Sequence, residues 1–450
     1  MTSTRSIDVQ QFIDARRISG TQVLTLVLCF LIVAVDGFDT ASIGFIAPAV
    51  REQWSLNAAQ LAPVFGAGLF GLMIGALCFG PVADRIGRKV TLLVCVAFFG
   101  VACLASAWSP SLDALIALRF LTGLGLGGAM PNAITLSSEY APTRNRSVLV
   151  TTMFCGFTMG SALGGILAAY LVQNMGWHSV LVVGGTVPLV MLPFLAALLP
   201  ESARYLVARQ QPVERITRIL KRIAPGSDLD GARYAAAEAA PSGSPLKQLF
   251  DPSLRRGTIA LWVMFFMCML IIYMLSSWLP TLIKNTGRTL KDASLVTAMF
   301  QVGGTVGSIV LGQLMDRLNP QRVLAVAYVI GAVFIAMIGQ TAASTVLLVV
   351  AVAVAGFCAS GGQVGGNALA AGFYPTASRA TGVAWALGIG RIGSILGSMA
   401  GGWMLTWGWS LATVFEVVAV PALIAAVAVL LMTGCQPTAN AAVQAAGQRR

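Results

Sequence analysis

Runs of about twenty apolar residues recur along this chain from Thr21 almost to Cys435, and no soluble fold has room to bury them. A hydrocarbon layer about 30 Å thick is crossed by about twenty residues of helix. Inside it every backbone N–H and C=O needs an internal partner, so the runs are read as helices and not as open strands. Composition agrees: 57% of the 450 residues are hydrophobic and 10% charged, with a mean hydropathy of +0.80. That is more apolar surface than one soluble core can hide.

The predicted spans are 22–48, 60–82, 90–108, 112–137, 148–172, 178–199, 257–281, 293–315, 322–340, 344–371, 381–405 and 410–433, twelve in all. A polar link, 201–256, holds ten Lys or Arg residues and separates the sixth span from the seventh. The expected fold is an all-α membrane protein with two pseudo-symmetric six-helix bundles. Its expected parts are an N-terminal segment (1–21), a first bundle (22–200), the link (201–256), a second bundle (257–433) and a tail (434–450). The first run is too long for a signal-peptide core and is expected to remain as an anchor.

The net charge of +12 does not mark a nucleic-acid partner, because the cations sit in short links and not on one face. Arg85, Arg88 and Lys89 follow span 2, Arg144 and Arg146 follow span 4, Arg317 and Arg322 follow span 8, and Arg379 follows span 10. All fall on one side, which the positive-inside bias makes cytoplasmic. Both termini are then cytoplasmic and the chain is a multi-pass protein of the cell inner (plasma) membrane. Lys284, Arg288 and Lys291, after span 7, run against the rule. The eight cysteines show no CxxC pair or His cluster and read as small buried hydrophobes, with neither disulfide nor metal expected. A GxGxxG string at Gly123–Gly128 lies inside a span and follows no strand, so it is not a nucleotide loop. With no P-loop and no nucleophile beside a base, an enzyme is not expected.

The two bundles repeat one another. Gly80-Pro-Val-Ala-Asp84-Arg85-Ile-Gly after span 2 is echoed by Gly312-Gln-Leu-Met-Asp316-Arg317-Leu-Asn after span 8, and Pro142-Thr-Arg-Asn-Arg146 by Pro375-Thr-Ala-Ser-Arg379. The offsets are 232 and 233 residues, as in carriers whose substrate site lies between two related halves near the midplane.

Ionisable groups at membrane depth cost several kcal/mol unless paired or hydrated, and each is a functional candidate by default. Away from the span ends these are Asp36 and Asp39 in span 1, Arg119 in span 4, Arg391 in span 11 and Glu416 in span 12. Asp36 and Asp39 are three residues apart and share a helical face, where repulsion and desolvation raise one proton affinity. One of them, left undecided here, is expected to carry a coupling proton. Arg391, among Gly388, Gly390 and Gly393, is suited to gripping a carboxylate with two hydrogen bonds. Arg119 reads as an internal partner of the span 1 acids, with a second anion contact as the alternative. Phe38, Tyr273, Trp278 and Trp385 offer faces for a flat ring, or packing. No role is given to Glu416, and His178, the single histidine, reads as an interfacial polar residue.

At Gly80-Pro-Val-Ala-Asp84-Arg85-Ile-Gly87-Arg88-Lys89 the chain resembles the signature loop of the major facilitator superfamily. Arg119 with Gly123, Glu139 with Pro142 and Arg146, and Pro200-Glu201-Ser202-Ala-Arg204-Tyr205-Leu extend the likeness. In span 1, Asp36-Gly37-Phe38-Asp39-Thr40 is similar to the hallmark of the aromatic acid/proton symporters, whose substrates include 4-hydroxybenzoate. Glu139, His178, Asp316, Arg379 and Arg391 fall at that family's charged positions; Gln321 stands where its best-known members have His, leaving the particular acid open. The resemblance implies a carrier that imports an aromatic carboxylate with a proton by alternating access, as a monomer in the lipid bilayer, driven by the proton gradient with no cofactor. It implies proton coupling at Asp36 and Asp39, substrate contacts at Arg391, Arg119, Phe38 and Trp385, and gating contacts at Asp84, Arg85, Arg88, Glu139, Arg146, Asp316 and Arg379. An efflux antiporter is the first alternative, although Gly160-Ser161-Ala-Leu-Gly164-Gly165 lacks the proline of the exporter signature. A solute sensor that moves nothing is the second, against which the link offers no recognisable signalling domain.

Overall fold

The computed structural model describes residues 6–227, 229, 232–235, 249–341, 344–374 and 378–432. The tail 434–450, Cys435, residues 375–377 and much of the link's second half lie outside them. Among the described residues, twelve helices are long and apolar enough to cross a bilayer. They are α2 (Gly20–Gln53), α3 (Ala58–Ile86), α4 (Arg88–Ser106), α5 (Leu112–Tyr140), α6 (Arg146–Met175), α7 (His178–Leu198), α10 (Arg255–Lys284), α11 (Leu290–Arg317), α12 (Pro320–Gln340), α13 (Thr345–Phe373), α14 (Arg379–Thr406) and α15 (Leu411–Leu431). Short elements accompany them: β1 (Ser6–Asp8), α1 (Val9–Asp14), α8 (Ala203–Ala208), α9 (Val213–Ile223) and β2 (Arg233–Ala235).

A helix occupies each predicted span, with ends that side-chain caps help to fix. Ser111, Ser344 and Ser410 accept from backbone N–H groups three residues on and start α5, α13 and α15. Asn319 caps α12, with Pro320 at the first position, where its missing N–H costs nothing.

The chain divides into two compact units whose borders fall inside helices. The first unit holds Met1–Ser42, Phe70–Gly164 and His178–Ala239; the second holds Ile43–Leu69, Gly165–Trp177 and Ala240–Arg450. One end each of α2, α3 and α6 falls in the second unit.

Inside each unit the closest helix contacts are made by glycine, and they repeat. A Cβ on Gly160 of α6 would lie 1.8 Å from the Ala34 carbonyl oxygen of α2, and one on Gly393 of α14 would lie 2.2 Å from that of Phe266 in α10. Likewise Gly71 of α3 abuts the Phe120 carbonyl of α5, and Gly303 of α11 that of Ala353 in α13. These pairs are 233 and 232 residues apart, the offsets already carried by the loops. Lipid tails are as apolar as side chains, so close backbone packing takes over the role that hydrophobic burial has in water. Gly160→Ala is expected to cost about 1–3 kcal/mol from overpacking, read as a lower melting temperature and less monodisperse protein. Gly312→Ala, where a Cβ meets nothing within 4 Å, is the control; equal melting of the two variants would refute the close approach.

On the first unit the N-terminal segment and the link build a small layer that hydropathy does not reveal. β1 pairs in parallel with β2, Ser6 opposite Arg233. Val9, Phe12 and Ile13 of α1 share a core with Ile216, Leu220 and Ile223 of the strongly amphipathic α9. Asp14 then ties this strap to the loop after α5, accepting from the Thr143 N–H and hydroxyl at 2.7 Å each. Slight burial pulls the Asp14 carboxyl upward in proton affinity, yet these bonds, a bond from Gln10 and the nearby Arg146 charge hold it below the usual aspartate value. The tie is therefore complete at neutral pH and is lost as pH falls through that lowered value.

Candidate functional site

Asp39 and Arg119 form a buried ion pair within the first unit. The carboxylate is 2% exposed and Arg119 3%. Arg119 Nη1 reaches both carboxylate oxygens at 3.3 Å, while its Nη2 donates to Thr122 Oγ1 at 3.1 Å. Two charges taken out of water repay their desolvation only with such partners on both sides. Cys103 of α4 completes the cluster, its Sγ 2.8 Å from Asp39 Oδ1. Gly184 of α7 makes room for it, since a Cβ there would come within 3.1 Å of that sulfur.

Asp36 is fully buried one turn earlier and accepts from the Thr40 hydroxyl at 3.2 Å. The shared helical face expected for the two acids therefore carries two different environments, with the arginine assigned to Asp39. Phe38 between them is buried, its ring lying where Cβ atoms on Gly164 of α6 or Gly184 of α7 would touch it. Its ring fills an interhelical gap left by two glycines.

In the second unit Arg391 is half-buried in α14 and donates from Nη1 to the Tyr273 hydroxyl of α10 at 3.2 Å. The neighbouring glycines have two roles: a Cβ on Gly388 would meet nothing within 4 Å, while others set the helix contact. Gly393 and Gly397 press α14 onto the α10 carbonyls of Phe266 and Leu270, and that contact sets Arg391 beside Tyr273. Leu69, Met269, Leu387 and Ile395 surround the tyrosine with apolar walls. Among the described residues of this unit no carboxylate pairs with Arg391. Trp385 is 43% exposed and stacks on Trp262, ring centroids 5.9 Å apart and planes at 22°. Trp278 is buried against Gly401 and donates to the Ser398 carbonyl at 2.6 Å, a packing arrangement. Glu416 is exposed on α15.

The signature loop is organised by an acid that sequence reasoning quoted without giving it a role. Glu201 Oε1 accepts from the Arg88 and Lys89 N–H groups at 2.9 and 3.1 Å, placing a negative charge at the positive end of α4. Gly87 is held at φ 103° with Glu201 Oε2 only 2.3 Å from where its Cβ would stand, so only glycine fits the bend. Arg88 pairs with Asp84 at 2.7 Å and lies 4.0 Å from Glu139. The Arg85 carbonyl accepts from Tyr205 and that of Asp84 from Arg209. Arg146 is half-buried at the start of α6. The second copy is simpler: Asp316 is exposed, Asn319 does the capping, and the side chain of Arg379 lies outside the described residues.

The basic residues that broke the topology rule each have local partners. Lys284 pairs with Glu52 at the end of α2, Lys291 lies over the Tyr170 ring of α6 at 4.8 Å, and Arg288 donates to Thr345 at 2.7 Å. All of these belong to the second unit, and they attach the ends of α2 and α6 to it.

The sequence model of the Major Facilitator Superfamily matches residues 29–289 and 261–449. The chain is 49% identical to a gallate transporter of Pseudomonas putida, covering 98% of each protein. It is 46% identical to a 4-hydroxybenzoate transporter of Pseudomonas aeruginosa, over 96% of this chain and 97% of that one. Among solved structures a D-xylose–proton symporter superposes with a TM-score of 0.69 at 18% identity, covering 92% of this chain and 98% of that chain, a likeness of fold alone. Glycine contacts repeated at offsets of 232 and 233 residues, a signature loop at Asp84–Lys89 and these matches have one meaning: the chain belongs to the major facilitator superfamily. Within it the chain groups with carriers of the kind its Asp36–Thr40 motif resembles. It is an integral membrane transporter and not an enzyme.

Proposed function

We propose that this protein imports an aromatic carboxylate of the hydroxybenzoate class together with a proton, by alternating access, in the cell inner membrane with both termini cytoplasmic. The observation that carries the proposal is identity of 42–49% over nearly the whole chain to transporters named for gallate and 4-hydroxybenzoate. The chemistry of the second unit supports it. Arg391 supplies a positive charge, Tyr273 accepts from it and keeps its own O–H to donate, and Leu69, Met269, Leu387 and Ile395 present an apolar wall. A charged end on an apolar ring has the matching pattern.

Asp39 supports the coupling. Protonating it removes the charge that holds Arg119, so the pair has two states that a proton selects between. The driving force is the proton gradient, with no cofactor. The test is uptake of radiolabelled 4-hydroxybenzoate and gallate by cells expressing the chain, with and without a protonophore. Accumulation of either acid that collapses with the protonophore is the expected result. Accumulation of neither, or export of preloaded acid, would overturn the substrate or the direction, and uptake indifferent to the protonophore would overturn the coupling.

A further inference from the structure

We infer that Cys103 is a positioning residue for the proton on Asp39, its thiol donating to the carboxylate when that is charged and turning to α7 when it is not. The inference rests on the coupling reading above. Three observations carry it. Cys103 is fully buried and its sulfur lies 2.8 Å from Asp39 Oδ1. A second acceptor, the Leu181 carbonyl oxygen of α7, lies 3.5 Å from the same sulfur. Third, the oxygen it meets is already shared with Arg119 at 3.3 Å, so the thiol sits inside the charge cluster and not beside it. Its hydrophobic character alone explains none of these.

The physical consequence follows from a thiol having one hydrogen to give. With Asp39 ionised, that hydrogen adds a second donor to the one Arg119 provides, which favours the charged form. With Asp39 protonated, the thiol retains an acceptor in Leu181 and is not left as a buried orphan. The charge on α2 is thereby linked to a contact with α7. Among the described residues, α6 meets this stretch of α2 with Phe157, Gly160, Ser161 and Gly164, α7 brings Gly184, and the titratable Asp36 lies one turn back on α2 itself.

Loss of the thiol removes one of the donors that face the Asp39 carboxylate. In Cys103→Ala the alkaline limb of the pH–uptake profile is expected to move up by roughly 0.5–1 pH unit, while Cys103→Ser, which keeps a donor, stays near the parent. A residue that merely fills space would lower the amount of active carrier in Cys103→Ala and leave the limb where it was; that outcome overturns the inference, as does an equal shift in both variants. A second readout does not depend on transport. Purified protein is titrated by infrared difference spectroscopy, following the carboxylic C=O band whose position changes in Asp39→Glu. Its midpoint rises in Cys103→Ala and not in Cys103→Ser if the inference holds, even where a protonophore-insensitive parent has already disproved coupled import.

Discussion

Asp39→Asn is expected to stop accumulation of substrate against a gradient and to reduce the stability of the purified protein by about 3–5 kcal/mol, the range for removing one partner of a buried ion pair. The two effects have separate causes. Asparagine cannot take up and release a proton, so the exchange between a charged and a neutral side chain at this position disappears. It also leaves the Arg119 guanidinium, 3% exposed, with hydroxyl partners at Thr122 and Ser106 but no compensating charge. The double variant Asp39→Asn/Arg119→Gln separates them: with both charges gone, most of the stability returns, and accumulation does not. Thermal melting in detergent and uptake into energised vesicles read the two quantities. An Asp39→Asn carrier that still concentrates its substrate would transfer the coupling role to Asp36 or end it.

Arg391→Ala is expected to raise the KM for an aromatic carboxylate by about 10- to 100-fold, since a hydrogen bond to a charged group contributes about 1.5–3 kcal/mol and each 1.4 kcal/mol is a factor of ten. Arg391→Lys keeps the charge and loses the planar fork, so it falls between the two. Competition sharpens the assignment. The carboxamide analogue of the substrate is expected to compete far less well than the acid against the parent carrier, and the difference between them shrinks in Arg391→Ala. Unchanged KM in the alanine variant would mean that the guanidinium serves Tyr273 and the α10–α14 contact instead of a ligand. Tyr273→Phe is informative beside it, because it keeps the ring and its apolar surroundings and removes the hydroxyl that accepts from Arg391.

Different parts of this molecule were legible to different degrees. The spans were readable because lipid imposes one rule on every residue of a segment, and a twenty-residue average absorbs local exceptions. The repeat was readable too, since the loops at Asp84 and Asp316 retain it; the glycines of the helix contacts keep the same spacing. Rarity singled out Asp36, Asp39, Arg119, Arg391 and Glu416, and two of the five are paired with each other. Partnerships between distant helices were the hidden part. Nothing in the run around Cys103 distinguishes it from Cys95 or Cys268, because its neighbour Asp39 is 64 residues away. Tyr273 was one aromatic among many until the α10–α14 contact set it under Arg391. Glu201 carried a usable signal, an acid directly following a span, and its role at the start of α4 depends on a bend at Gly87 that sequence shows only as one more glycine. The basic residues Lys284 and Lys291 stood out only as an exception to the topology rule, whereas each has a partner on a helix of the other sequence half.

The strap at the beginning of the chain has a consequence in time. Val9, Phe12 and Ile13 complete their burial against Ile216, Leu220 and Ile223, which a ribosome reaches about 200 residues later; at 5–20 residues per second that is a wait of roughly 10–40 s. The share of their burial that α9 provides is added only after that interval. A bulky fusion placed before Ser6 would burden biogenesis at that step.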